Sequence, residues 1–398
     1  MLFAFCSCEV APDRGDLMKN IAAAEAEGKE LDDAFCKAQT AFAMELFRAC
    51  AADSKGKSIL ISPLSVHAAL AMAANGASGE TLAEMESLLG GELSVTELNA
   101  YFLEYIDSLP TENTCKVGIT NSIWYNQSYD LEMREDFLQT NATYYGAQAY
   151  DVPFGKSAVE QINKWANLHT DGMIEKILDE MDEESPIYLV NALTFEAGWT
   201  RGFEKRFIQN ETFCDLQGNE QTAQVMYAKR YAYYETEGAA GFALGYGENS
   251  RFWFFAVLPD EGVDLYTFIE SFDASAYARF LSSRREDETV LVGLPKFGYQ
   301  FDMELQDVLA ALGMPSAFQN ADFSRMCDAS LSLDKVIHKT FIELDENGTR
   351  AAAVTVDTTK SIDLPKCDHT VVLNRPFVYL IADALTGAPI FIGTVTSV

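Results

Sequence analysis

Glu343–Pro376 reads ELDENGTRAAAVTVDTTKSIDLPKCDHTVVLNRP, and the rest of the chain is organised around it. An apolar, strand-like run leads into it through Val336, Ile337, Phe341, Ile342 and Leu344, and meets a turn at Asn347–Gly348. Small and β-branched residues follow from Thr349 to Thr359, and a second apolar strand opens at Asn374-Arg375-Pro376-Phe377. The middle is poor in large side chains and has little to bury, which predicts an exposed, mobile loop. Yet Ala351-Ala352-Ala353-Val354-Thr355-Val356 also fits between two strands without steric conflict. A segment that suits both states is a switch.

Upstream, the chain alternates helical and strand signals. Glu9 to Lys29 is charged, lacks sustained periodicity and reads as a tether. From Asp32, Phe35, Ala38, Phe42, Leu46 and Phe47 recur at helical spacing. Ser62 caps a helix with Pro63 at its first position and Gly76 just past its end. The small apolar run Val66, Ala69, Leu70, Ala73 suits a helix buried beneath a sheet. Ser94 with Glu97 forms a capping box for a helix through Leu109. Val117, Ile119, Asn121, Ile123 and Tyr125 alternate with period two, and the polar Asn121 among them calls for a hydrogen-bond partner. An amphipathic helix is expected over Ser157–Leu178, interrupted at Gly172. Ile187–Phe195 is apolar apart from Asn191 and Thr194, as befits a strand buried on both faces, and Phe252–Leu258 and Val290–Leu294 read similarly. Asp302 is expected to cap a helix ending at Gly313. The last strands, Phe377–Ile381 and Pro389–Val395, flank a turn at Thr386-Gly387. Without repeats, low-complexity tracts or an interdomain linker, one integrated α+β domain is expected over 32–398, preceded by 1–31.

At 398 residues with 48% hydrophobic content, the chain can bury a large core. Lys+Arg 29 against Asp+Glu 60 gives a net charge of −31, which disfavours nucleic acid and anionic membrane surfaces and favours cationic proteins. No stretch approaches the roughly twenty apolar residues of a membrane-spanning helix. The eight cysteines are scattered, and only Cys6-Ser7-Cys8 is close, so free thiols are expected, not a zinc site or a disulfide framework. Met1-Leu2-Phe3-Ala4-Phe5-Cys6 is short, apolar and lacks a basic start; it resembles the tail of a signal peptide or lipoprotein segment and suggests a secreted or cell-surface protein. That start and the acidity hint at a bacterial source, in which case the Asn-x-Ser/Thr motifs at Asn126, Asn141, Asn210 and Asn347 carry no glycan of the eukaryotic type.

Nothing in the sequence supports an enzyme. His67, His169, His338 and His369 are far apart and none has metal-ligand spacing. There is no GxSxG elbow, no GxxxxGK phosphate loop and no dinucleotide fingerprint. No metal or cofactor is expected. His338, in an apolar strand, reads first as a satisfied core histidine; Glu346 and Lys296 read first as solvated surface charges.

Gly348-Thr349-Arg350-Ala351-Ala352-Ala353-Val354-Thr355 resembles the reactive-loop hinge of the serpins, and Val371-Val372-Leu373-Asn374-Arg375-Pro376-Phe377-Val378-Tyr379 resembles their C-terminal signature. Ile61-Ser62-Pro63-Leu64-Ser65, Tyr188–Phe195 through Trp199, Leu258-Pro259-Asp260-Glu261-Gly262, Leu294-Pro295-Lys296-Phe297 and Val336-Ile337-His338-Lys339 are similar to further serpin motifs in the family's order. The resemblance runs from about Asp33 to Val398. It implies a single α+β domain with a large central sheet, smaller sheets, about eight to nine helices and a reactive-centre loop at about 346–370.

It also implies roles. Ser62, Ser65, Asn191 and His338 match the region where the central sheet opens, with His338 bonded to Asn191. Glu346 and Lys296 match a pair bracing the top of the sheet, and Trp199 the aromatic of the gate. Loop insertion in serpins is itself a standard example of strand addition and stored strain. A serine protease attacks the loop, the acyl-enzyme forms, and the freed loop enters the sheet as a new strand, carrying the protease with it in a covalent, inactivated complex. With period two, Thr349, Ala351, Ala353 and Thr355 face the core and are small, while Arg350 faces solvent. Asp357 continues the inward series and is costly to bury unpaired. Family-wise counting from Glu346 puts the reactive bond at Ile362–Asp363, suited to elastase or proteinase-3-like enzymes; Lys360–Ser361 is the trypsin-like runner-up. The Ser94–Leu109 helix carries Glu97, Glu104 and Asp107 but no Lys or Arg, so no heparin activation is expected. A monomer is expected. A serpin-fold carrier or structural protein that does not inhibit is the alternative.

Overall fold

The computed structural model describes residues 15–112, 114–349 and 363–398. Met1–Cys8, Arg350 to Thr355, Asp357, and the Lys360, Ser361 and Ile362 of the expected reactive bonds lie outside the described residues.

Nine α-helices occur among the described residues: α1 (Asp33–Asp53), α2 (Pro63–Ala74), α3 (Gly79–Gly90), α4 (Val95–Asp107), α5 (Glu135–Tyr145), α6 (Lys156–His169), α7 (Leu265–Ser271), α8 (Ala274–Ser282) and α9 (Gln306–Leu312). The strands begin with β1 (Leu60–Ile61), β2 (Thr111–Glu112), β3 (Cys115–Asn126), β4 (Gln148–Val152), β5 (Ile187–Gly198) and β6 (Ile208–Cys214). Next come β7 (Glu220–Arg230), β8 (Tyr233–Thr236), β9 (Ala239–Gly245), β10 (Phe252–Pro259), β11 (Arg284–Arg285) and β12 (Val290–Pro295). The last are β13 (Phe297–Glu304), β14 (Lys335–Leu344), β15 (Gly348–Thr349), β16 (His369–Val372), β17 (Phe377–Asp383) and β18 (Pro389–Val395).

These strands build three sheets. The central one runs β13-β14-β15-β5-β3-β2, with β4 also on β3; a second runs β1-β18-β17-β10-β9-β8-β11; the third is β16-β12-β7-β6. The small apolar helix α2 lies between the first two, packed on α1, β5 and β18. Every residue of α2 is buried, which its alanines allow because sheet backbones approach closely on both sides. Each fully buried leucine such as Leu70 contributes about 2 kcal/mol. Ser62 caps α2 by accepting from the Ser65 amide (3.4 Å), and Pro63 occupies the first turn, where no amide bond is lost. α4 carries the reciprocal Ser94–Glu97 box.

Three expectations need correction. Asp302 caps no helix: it lies within β13, paired with Lys339 of β14, and α9 begins at Gln306. The alternating Phe297, Tyr299 and Phe301 outweigh the local preference of an aspartate, because cross-strand pairing satisfies the backbone over the whole run. Helix also stops at His169, not near Leu178. Beyond it, the Thr170 hydroxyl accepts from the Ile174 amide, and the Asn163 carbonyl accepts from the amides of Ile177 and Leu178, so side chains replace the helical ladder. Within the segment read as a tether, residues 15–31 lie against the body. Asp16 bridges Tyr150, and the Leu17 amide donates to the Ala149 carbonyl (2.9 Å) along β4.

Candidate functional site

The turn after β14 is assembled by Asp345, whose carboxylate accepts from the amides of Asn347 (2.7 Å) and Gly348 (3.2 Å). It folds the chain back so that β15 wedges between β14 and β5, pairing Thr349 with Leu344 on one side and Ala197 on the other. Gly348 is required there, because a Cβ would stand 2.1 Å from the Ala197 carbonyl oxygen. Thr349 is 4% exposed, and its hydroxyl meets the Tyr246 hydroxyl at 2.5 Å.

Trp199 holds this turn from outside the sheet. Its amide donates to the Asn347 carbonyl (2.8 Å), its indole Nε1 to the Asp345 carbonyl (2.9 Å), and its ring stacks on Tyr246 with centroids 4.4 Å apart. The Phe203 amide adds a bond to the Glu346 carbonyl (3.0 Å). The Glu346 side chain is only 2% exposed, with Lys296 Nζ 2.5 Å and Lys205 Nζ 3.8 Å from its oxygens. The reading of Glu346 as a solvated charge is therefore corrected: the pair is largely desolvated, so removing Lys296 strands a buried carboxylate. Burial pushes the Glu346 carboxyl up, and Lys296, with help from Lys205, more than offsets this, leaving it below the ordinary value. Asp345 and Tyr246 were not singled out from sequence, although the Asp two residues ahead of Asn-Gly is a recognisable turn signal.

Deeper in the sheet, His338 and Asn191 stand opposite each other on β14 and β5. The bond expected between them is not made. His338 Nε2 accepts from the Ser62 amide (3.0 Å), while Asn191 Nδ2 donates to the Ser65 carbonyl (2.7 Å) and to Asn121 Oδ1 (2.5 Å). Both strands are thus tied to the start of α2, where Ser65 Oγ donates to the Ser62 carbonyl (3.0 Å). Because Nε2 is an acceptor, the proton of neutral His338 resides on Nδ1. That Nδ1 and Asn191 Oδ1 have no hydrogen-bond partner among the described residues, a donor and an acceptor in matching register. Burial pushes His338 down to about 4.

Between these two regions the described residues leave a gap in the central sheet. β14 and β5 pair directly, in parallel, only from Lys335–Tyr188 to His338–Asn191, and β15 joins them at the other end. No ladder joins Lys339–Glu343 to Ala192–Glu196 among the described residues. The side chains of Leu193, Phe195, Thr340 and Ile342 on either side are buried. The gap is therefore floored by core, bounded by two strand edges that no described residue pairs, and closed below by His338 and Asn191.

Asp363, expected on the far side of the reactive bond, is exposed, and the chain regains a strand at β16, which pairs in parallel with β12. Cys36, Cys50, Cys115, Cys214, Cys327 and Cys367 are free, with burial pushing the Cys50 thiol up to about 12. Among the described residues no cluster of three His, Cys, Asp or Glu is placed to hold a metal ion, and no helix is long and apolar enough to cross a membrane.

The family model Serpin (serine protease inhibitor) matches residues 37–398. An uncharacterized serpin-like protein of Thermococcus kodakarensis is 31% identical over 369 residues, covering 88% of this chain and 83% of that protein. Among solved structures, the thermophilic serpin Tengpin in its native state superposes with a TM-score of 0.89 at 38% identity, covering 97% of this chain and 100% of that one. Tengpin in its latent state gives 0.81 at 38% identity, covering 93% and 100%. The better agreement is with the native arrangement, in keeping with the gap in the central sheet. A wedged hinge, a braced carboxylate and a strand position that no described residue fills thus coincide with sequence similarity along nearly the whole chain: it belongs to the serpin family.

Proposed function

We propose that this chain inhibits serine proteases as a suicide substrate, by inserting its loop into the central sheet after cleavage. The observation that carries the reading is β15, which already occupies the first two positions of a strand between β14 and β5. Extending its antiparallel register sets Ala351 opposite Phe195 and Ile342, Ala353 opposite Leu193 and Thr340, and Thr355 opposite Asn191 and His338. The first two steps use the existing gap. The third separates Asn191 from His338, so that pair is the latch for full insertion. A complete strand adds roughly a dozen backbone hydrogen bonds at about 1 kcal/mol net each. That rivals the about 5–15 kcal/mol stability of an ordinary domain, so the native state is held by a kinetic barrier.

Ile362 before the cut fits an apolar pocket of moderate size, which favours elastase or proteinase-3-like targets, and the net charge of −31 draws basic ones. Incubation with a basic elastase should give a covalent complex that survives SDS. Cleavage that leaves the elastase fully active would refute inhibition. Asp357 favours a second reading, a serpin that does not inhibit: the same register brings its carboxylate between Leu189 and Val336, on the core face, where burial is unfavourable. In that case Asp357→Ala should convert a substrate into an inhibitor.

A further inference from the structure

A cavity of about 260 Å³ opens between the end of β7, the β9–β10 hairpin, β11 and the Thr200–Arg201 turn. Among the described residues its charged lining consists of Arg201, Arg230 and Arg284, with no Asp or Glu, in a chain with 60 acidic residues against 29 basic ones. None of the three guanidiniums has a carboxylate within ion-pair distance among the described residues. Arg230 instead donates to the backbone carbonyls of Lys229 (3.1 Å), Arg201 (2.8 Å) and Gly202 (3.2 Å). Like charges that line one cavity without a counter-charge among the described residues repel one another, an arrangement that an anion relieves. Burial first, and then Arg201, pull the Arg230 guanidinium down to about 10, still cationic at neutral pH.

The remaining walls select the kind of anion. Trp253 lines one side, Tyr231 stands 55% exposed at the rim, and Leu244 contributes an apolar surface. A bare inorganic ion would leave these aromatic faces wet, whereas a flat ring bearing one acidic group covers them and meets the arginines. The cavity is too small for a polyanion chain to thread. We propose that this cavity is a binding site for a small aromatic anion, a carboxylate or sulfonate held by Arg201, Arg230 and Arg284 against Trp253 and Tyr231.

The site adjoins the turn that holds the hinge. Thr200 donates its amide to the Gly245 carbonyl (2.8 Å) and its hydroxyl to the Gly247 carbonyl (2.6 Å), one residue after Trp199 binds the Asn347 carbonyl. An occupant therefore sits one residue from the Trp199 contacts that hold the hinge turn.

Isothermal titration calorimetry of the full chain with naphthalene-1-sulfonate tests the site, with naphthalen-1-ylmethanol as the neutral counterpart. One saturable site is expected for the sulfonate, weakened about tenfold or more in R201Q/R284Q and for the alcohol, because charge-assisted bonds are lost. R201K/R284K should retain most of the binding, which separates loss of charge from loss of fold. Absence of saturable heat, equal affinity for the alcohol, or unchanged binding by a folded R201Q/R284Q protein would overturn the proposal.

Discussion

Thr349→Arg puts the strongest demand on the hinge. Thr349 is buried between Ala197 and Leu344, and its hydroxyl partners the buried Tyr246 hydroxyl. An arginine there leaves Tyr246 unpaired, at about 1–3 kcal/mol, and desolvates a guanidinium, at several kcal/mol more even after relaxation. Against this, β15 is two residues long, and its few backbone bonds contribute about 1 kcal/mol each. The cost exceeds the grip, so β15 should leave the sheet while the body of the fold stays intact. Acylation needs only the loop; insertion needs this position filled. The variant should be cut by elastase at an undiminished rate, yet yield almost no SDS-stable complex, with a stoichiometry of inhibition raised at least about tenfold, as a cost above 1.4 kcal/mol implies. Thr349→Val, which keeps the shape and loses only the hydroxyl, should remain an inhibitor. Undiminished complex formation by Thr349→Arg would refute the inward placement of this residue during insertion.

Lys296→Met strands the Glu346 carboxylate beside the more distant Lys205, and should lower thermal stability by about 2 kcal/mol at neutral pH. Because Lys296 holds the folded carboxyl below its ordinary value, the pair's contribution is present above pH 4.5 and is lost as pH falls; the variant and the parent should converge in acid melts. His338 works over a higher window. Its folded value of about 4 lies below the ordinary 6.5 of an imidazole, so the unfolded or opened state binds the proton more readily, and stability present above pH 6.5 is lost as pH falls towards 4. At pH 5 that amounts to about 2 kcal/mol, and conversion to an inserted form, followed by native gels, should accelerate; His338→Gln should flatten this profile. Mass spectrometry of the released peptide identifies the cut: a fragment beginning at Asp363 supports Ile362, whereas one beginning at Ser361 transfers the site to Lys360 and excludes the elastase preference.

Much of the fold was legible because its signals are local. The largely apolar run of β5, the period-two alternation of β3 and the cap chemistry of Ser62-Pro63 and Ser94–Glu97 each follow from residues close in sequence. The misassignments arose where distant partners decided. β13 exists because β14 pairs along its whole length, and the chain after Thr170 is held by Asn163, which no periodicity reveals. At the site, residue identities were legible but burial and bonding were not. Glu346 becomes a buried anion only because Trp199, Lys296 and the Asp345 turn enclose it. His338 binds the Ser62 amide instead of Asn191 because α2 reaches the sheet from below, an arrangement fixed by packing between two sheets.

The central claim is that the native sheet has a vacant strand position which the cleaved loop fills. It is tested most directly by nicking the loop with a metalloprotease, which forms no acyl-enzyme and is therefore not trapped, and comparing thermal unfolding before and after. A filled position gains roughly a dozen hydrogen bonds at about 1 kcal/mol each, so the cut protein should melt tens of degrees higher than the intact one. A midpoint that is unchanged or lowered after complete, verified cleavage would contradict the account.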